Sequence, residues 1–249
     1  MNLVRIDRRY RLRRRLGFGS SGEIYMAHDI FSGQDIAVKL KPMQGSCCTL
    51  EHEFNIYEKL AGGLGILFVH SFRIECGYNV MVMKRLGPSL EQLFSDCHFR
   101  FSTRTILLLA SQLNFIYRDL KPSNIIMGVR KHTDIVYIID FGLLKEFRHP
   151  DTYLHIPYTR AQGLIGMATF TSTHSHLGFE LESKLTTSAH DLCQGLPVQL
   201  GTFLEYSRSL SFDGKPDYDY LYNLFQAPLL WEGFRSDMTF DWNDSDNGA

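Results

Sequence analysis

Short apolar-rich runs, too short for helices, dominate the first third of the chain. The runs at Tyr10–Leu16, where Tyr10, Leu12 and Leu16 recur with an even period, Glu23–Asp29, Asp35–Leu40, roughly Leu67–Ile74 and Tyr78–Met83 predict five short strands. One stretch breaks this rhythm. Leu50, Phe54, Tyr57 and Leu60 recur at helical spacing and predict a helix over Leu50–Leu60, followed by a turn at Gly62-Gly63-Leu64-Gly65.

After Leu86-Gly87-Pro88 the pattern becomes helical. Ser89 with Gln92 reads as a capping box, and Ser102 caps a helix expected to run through Leu113. The apolar runs Asn124–Met127 and Ile135–Ile139 are short enough to be strands. Helical periodicity returns at Leu196–Leu210 and Tyr218–Phe225, whose aromatic residues are expected in the core. The expected fold is therefore α+β and bilobal. A small antiparallel sheet with one helix occupies residues 1–86, a mainly helical lobe residues 87–242 and a tail residues 243–249, with ligand in the cleft between lobes.

Composition narrows the partners. A hydrophobic content of 44% over 249 residues is enough to fill the core of such a domain. Lys and Arg number 26 against 27 acidic residues, so no overall attraction to polyanions is expected and nucleic acid is not the expected partner. The cluster Arg8, Arg9, Arg11, Arg13, Arg14 and Arg15 is a local exception, and a nucleic-acid-binding role for it is the rival reading. A strand with Tyr10, Leu12 and Leu16 turned inward and most of the arginines on its wet face accounts for it better. Five cysteines with no C-x-x-C pair fit reduced thiols in the cytoplasm or nucleus. No apolar run approaches the length of a membrane span, and a soluble monomer is expected. His174 and His176 lack further ligands at metal spacing and read as a turn.

Four segments carry candidate chemistry. Leu16-Gly17-Phe18-Gly19-Ser20-Ser21-Gly22-Glu23-Ile24 places a G-x-G-x-x-G between two strands, where missing side chains let backbone N–H groups approach phosphate oxygens. Lys39 ends the apolar strand Ile36-Ala37-Val38, and Glu53 falls within the apolar stripe of the helix. A carboxylate there needs a cation, since stranding one member of a buried ion pair costs about 3–5 kcal/mol. Lys39 and Glu53 are therefore expected to pair. Tyr117-Arg118-Asp119-Leu120-Lys121-Pro122-Ser123-Asn124 and then Asp140-Phe141-Gly142 follow in the order and residue types of a protein kinase catalytic loop and metal-binding triplet.

That resemblance implies a division of labour. Asp119 orients a substrate hydroxyl and accepts its proton, Lys121 neutralises the γ-phosphate, and Asn124 and Asp140 hold Mg²⁺. It further implies an ATP site made by Leu16, Gly17, Gly19, Gly22, Ile24, Ala37, Lys39, Glu53, Met83 and Leu86.

Further segments make the chain similar to the casein kinase I family of serine/threonine kinases, from about Tyr10 to Trp242. They are Met81-Val82-Met83 leading into Leu86-Gly87-Pro88-Ser89-Leu90-Glu91, His155-Ile156-Pro157-Tyr158, His176-Leu177-Gly178-Phe179-Glu180, and Phe240-Asp241-Trp242. The likeness implies Met83 as gatekeeper, Leu86 offering backbone hydrogen bonds to adenine, and acidic or phosphorylated protein substrates. Ser172-Thr173-His174 occupies the place of that family's Ser-Ile-Asn.

Several positions depart from the family pattern. Ser21 replaces the aromatic tip of the glycine-rich loop, Lys84 and Arg85 put two cations in the hinge, and Gln162 and Thr169 replace a lysine and an arginine of the activation segment. Ser21 and the two hinge cations are expected to weaken, without abolishing, nucleotide binding. Against the same pattern, the helix before the catalytic loop is shorter by about ten residues, or about 15 Å, between Leu113 and Asn114. A long buried helix and a basic loop are missing between Glu180 and Leu192. If that helix buries half a dozen large apolar side chains at about 1.5–3 kcal/mol each, its loss removes on the order of 10 kcal/mol, comparable with the stability of a whole domain. A shortened form that binds nucleotide or partners without turnover is the alternative expectation.

Overall fold

The computed structural model describes residues 5–19, 21–43, 49–112, 121–143, 186–211, 214, 216–231 and 239–243. Two compact units divide the chain: Met1–Ser89 with Ser123–Leu144, and Leu90–Pro122 with Lys145–Ala249. The first therefore takes back a segment that follows the first helices of the second.

The first unit is built on six antiparallel strands, β1 (Arg5–Ile6), β2 (Tyr10–Gly19), β3 (Gly22–Asp29), β4 (Asp35–Pro42), β5 (Val69–Glu75) and β6 (Tyr78–Lys84), in the order β1-β2-β3-β4-β6-β5. Helix α1 (Thr49–Lys59) follows β4. A two-stranded sheet of β7 (Ile125–Met127) and β8 (Val136–Ile138) completes the unit, tied back by a bridge between Ile66 and Ile138. Ile6, Tyr10, Ala27, Ile36, Val38, Val80 and Val82 form one buried cluster, with Leu12 and Leu40 packed against it.

Two expectations need correction here. Leu16 does not turn inward; it is 41% exposed, because β2 shifts register between Leu12 and Arg15 and again between Arg15 and Gly17, which breaks the period of two. Leu60 is 39% exposed, since α1 ends at Lys59 and the chain turns through Gly62; Ile56 is buried in α1 instead. Arg9, its side chain 39% exposed, stands apart from the rest of the basic cluster by having a buried partner. Its guanidinium grips the buried Asp29 carboxylate through Nε and Nη2 at 2.8 and 2.7 Å, while Ser32 Oγ and the Phe31 N–H donate to the same carboxylate. Those bonds, the Arg9 contact foremost, hold Asp29 well below the usual carboxylate range.

The second unit is helical: α2 (Leu90–Asp96), α3 (Thr103–Gln112), α4 (Ala189–Leu192), α5 (Val198–Ser209) and α6 (Tyr218–Trp231). Ser102 caps α3 as expected, its Oγ accepting from the Thr105 N–H at 3.2 Å. Asp241 adds a clamp, accepting from Ser102 N–H and Oγ–H at 2.6 Å each while its own N–H donates to Thr105 Oγ1. Beside it Phe240 is fully buried and stacks on Trp242 at 4.6 Å, and Trp242 meets Phe101. In α6 the aromatic positions divide. Phe225 is buried and packs on Phe203, whereas Tyr218, Tyr220 and Tyr222 are exposed, contrary to the expectation that all are core. Among the described residues no helix is long and apolar enough to cross a membrane.

Candidate active site

The site grows from the pairing of β4 with both neighbours. Ile24 lies opposite Lys39 on β3, and Met81 and Met83 lie opposite Lys39 and Ala37 on β6. Directly opposed residues of an antiparallel pair share a face, so Ile24, Ala37, Lys39 and Met83 line one side of the sheet. Gly17 is opposite Ile24 and falls on the same side.

At the turn between β2 and β3, Gly22 has φ +127°, and a Cβ there would lie 2.6 Å from the Leu40 carbonyl oxygen. Only glycine fits that close approach. Gly17 and Gly19 face open space instead, with no atom within 4 Å of an added Cβ. Those two leave room for a ligand beside the backbone, while Gly22 anchors the loop to β4.

Lys39 is where the elements meet. Its Nζ donates to Glu53 Oε1 and Oε2 at 2.9 and 2.7 Å, so the pairing expected from the helical stripe is present. The Asp140 carboxylate oxygen Oδ1 lies 3.4 Å from the same nitrogen. The side chains of Lys39 and Glu53 are 4% and 3% exposed, that of Asp140 23%. Burial pushes the Glu53 carboxyl up; the Lys39 charge pulls it back and the Asp140 charge adds to the rise. One ammonium thus holds two carboxylates from different elements.

Asp140 follows β8 with φ +68°, a left-handed conformation uncommon outside glycine. Its N–H donates to Tyr57 Oη at 3.0 Å, and the Tyr57 ring meets Phe141 edge-on at 4.8 Å. Asn124, buried, immediately precedes β7, and its carbonyl accepts from the Ile139 N–H at 2.9 Å. Pairing of Ile125 with Ile138 therefore brings residue 124 beside residues 139 and 140.

The segment after Met83 is held from three sides. Lys84 N–H donates to the Phe68 carbonyl, Gly87 N–H to that of Met127, and Met127 N–H to that of Pro88. A Cβ on Gly87 would come 2.9 Å from the Gly128 carbonyl oxygen, so the backbone contact with the β7 end depends on glycine. The two hinge cations have partners of their own: Lys84 Nζ sits 5.7 Å from the Tyr137 ring centroid and Arg85 pairs with Asp35 at 3.6 Å. Leu86 is half-buried among these contacts.

Of the expected site residues, Leu16, Gly17, Gly19, Gly22, Ile24, Ala37, Lys39, Glu53, Met83, Leu86, Asn124 and Asp140 all belong to the first unit. Lys121 is described, half-buried, in the second. Asp119, Gln162, Thr169, Ser172, Thr173 and His174, and the junction of Leu113 with Asn114, lie outside the described residues. Tyr57 and Tyr137 were missed as site residues. Tyr57 stands four positions after Glu53, so the helical stripe already aligned the two, but nothing local signals a bond to a backbone N–H 83 residues away.

The donor set suits a hard divalent cation. Asp140 offers carboxylate oxygens and Asn124 an amide oxygen, and among the described residues no group of three or more His, Cys, Asp or Glu side chains forms a dedicated cage. Mg²⁺ commonly takes one or two protein oxygens and completes its shell with phosphate and water, which is what these residues can accommodate.

A family model described as "Protein kinase domain" matches residues 10–174, well over half of the chain. The chain belongs to the protein kinase domain family. Its antiparallel sheet with one helix, followed by helices, is that family's fold.

Proposed function

We propose that this chain is a serine/threonine protein kinase of the casein kinase I type, acting as a monomer in the cytoplasm or nucleus on acidic protein substrates. The observation that carries the reading is the grip of Lys39 between the Glu53 and Asp140 carboxylates. A cation held in that way is preset to meet phosphate oxygens without reorganising, which is how a preorganised site lowers a phosphoryl-transfer barrier. Asn124 and Asp140 hold Mg²⁺, which supplies charge neutralisation at the phosphates. Gly17 and Gly19 offer backbone N–H groups to the phosphate chain, and Ile24, Ala37, Met83 and Leu86 enclose the adenine. Asp119 accepts the proton of the substrate hydroxyl, and Lys121 balances charge on the γ-phosphate as it moves. The described cysteines, Cys76, Cys97 and Cys193, are free thiols, in keeping with a reducing compartment.

The test is transfer of radiolabelled γ-phosphate from ATP to an acidic serine peptide by the full chain and by Asp140→Asn. Incorporation by the first and its loss in the second are expected; equal signals overturn the reading. A second reading, nucleotide binding without turnover, is favoured by one observation: the nucleotide and metal residues all lie in the first unit, whereas Lys121 lies in the second. It predicts a thermal shift with magnesium and ATP but no labelled peptide.

A further inference from the structure

Tyr57 is fully buried on α1, one turn after Glu53, and has two separate ties to the metal-binding triplet. The ring packs edge-on against Phe141 at 4.8 Å. The hydroxyl oxygen accepts the Asp140 N–H at 3.0 Å. Packing explains the ring, and phenylalanine would supply it equally well; it does not explain a phenol carried into a buried position, where an oxygen must be hydrogen-bonded to be tolerated.

Asp140 is the residue that needs such a partner. At φ +68° it holds a backbone conformation that strains a side-chain-bearing residue and persists only where its surroundings impose it. With φ held at +68°, fixing the peptide N–H also sets the direction of the Cα–Cβ bond, and so where the carboxylate starts from; its Oδ1 lies 3.4 Å from Lys39 Nζ. α1 thus controls both carboxylates: Glu53 directly and Asp140 through the tyrosine hydroxyl. The geometry points to Tyr57 as a positioning residue, whose hydroxyl sets the Asp140 backbone so that its carboxylate is presented to the divalent cation accompanying the nucleotide. This rests on the nucleotide-binding part of the function proposed above.

The experiment measures affinity of the full chain for a fluorescent ATP analogue in excess Mg²⁺ and in EDTA, and takes the ratio as the gain due to metal. Wild type and Asp140→Asn come first. Absence of nucleotide binding, or of a gain that Asp140→Asn removes, overturns the nucleotide reading and this inference with it. Where that gain is present, Tyr57→Phe is expected to reduce it about three- to tenfold, the range of one lost hydrogen bond, with affinity in EDTA within about twofold of wild type. An undiminished gain in Tyr57→Phe overturns the inference while leaving the nucleotide reading intact. Equal losses with and without metal, or loss of a cooperative melt by circular dichroism, make Tyr57 a packing residue and overturn it too.

Discussion

Lys39 and Glu53 form a doubly hydrogen-bonded ion pair at 2.7 and 2.9 Å in which neither side chain is more than 4% exposed. Removing the ammonium by Lys39→Met strands Glu53 in the same surroundings, at an expected cost of about 3–5 kcal/mol. The melting midpoint falls by about 6–20 °C, taking about 2–4 °C per kcal/mol for a chain of this size. The pH dependence has a definite sign. A carboxyl whose folded pKa is raised holds its proton more tightly in the folded state, so stability is lost as pH rises from the ordinary glutamate value through the raised one. Lys39 pulls the Glu53 pKa down, so Lys39→Met raises it further, and the gap between wild type and the variant, measured by calorimetry, widens as pH rises above the ordinary glutamate value.

Asp29 carries the opposite sign. Its carboxyl is depressed by Arg9, so the contribution of this pair is complete above the ordinary aspartate range and lost as pH falls below it. Asp29→Asn is expected to lower the melting midpoint at neutral pH and to flatten its fall in acid. An unchanged acid limb in that variant contradicts the assignment.

The glycines of the β2–β3 turn separate folding from ligand binding. Gly22→Ala forces a Cβ to within 2.6 Å of the Leu40 carbonyl oxygen at a φ reserved for glycine, at a cost of about 1–3 kcal/mol of stability. Gly17→Ala and Gly19→Ala meet no atom within 4 Å and leave the melting midpoint within about 2 °C of wild type, while crowding the space assigned to phosphate. Paired melting and ATP-binding measurements distinguish the two effects.

Asp241 clamps the start of α3 through two bonds from Ser102. Asp241→Ala removes both and is expected to destabilise by about 1–2 kcal/mol, lowering the melting midpoint by about 2–8 °C. Asp241→Asn retains an acceptor oxygen and is expected to fall between that variant and wild type.

Much of this fold was legible because strand and helix periods are local properties. The predicted runs at Glu23–Asp29 and Asp35–Leu40 overlay β3 and β4, and Glu53 within an apolar stripe announced its partner. What escaped reading depends on events a period cannot encode. Register shifts turned Leu16 out of a face its spacing assigned to it, and β1, two residues long, is recognisable only from its pairing with β2. The tyrosines of α6 look like core by composition, yet only Leu221, Phe225 and Leu229 among its large apolar residues turn inward. Arg9 stands among five other arginines, and its distinction is the Asp29 carboxylate across the turn. At the site, residue types and order exposed Lys39, Asn124 and Asp140, whereas the left-handed backbone of Asp140 and the Tyr57 hydroxyl that meets it are products of tertiary structure.

The return of Ser123–Leu144 to the first unit bears on synthesis at the ribosome. A nascent chain that has just released Ser89 holds all six strands of the large sheet, but neither Asp140 nor the β7–β8 pair. About 55 further residues must follow before Leu144 emerges, a wait of about 3–11 s at about 5–20 residues per second. During that interval Lys39 and Glu53 have each other but no aspartate, and Tyr57 has no N–H to receive. Helices α2 and α3 are translated within this pause, so the amino-terminal unit closes only after part of its neighbour has already been made.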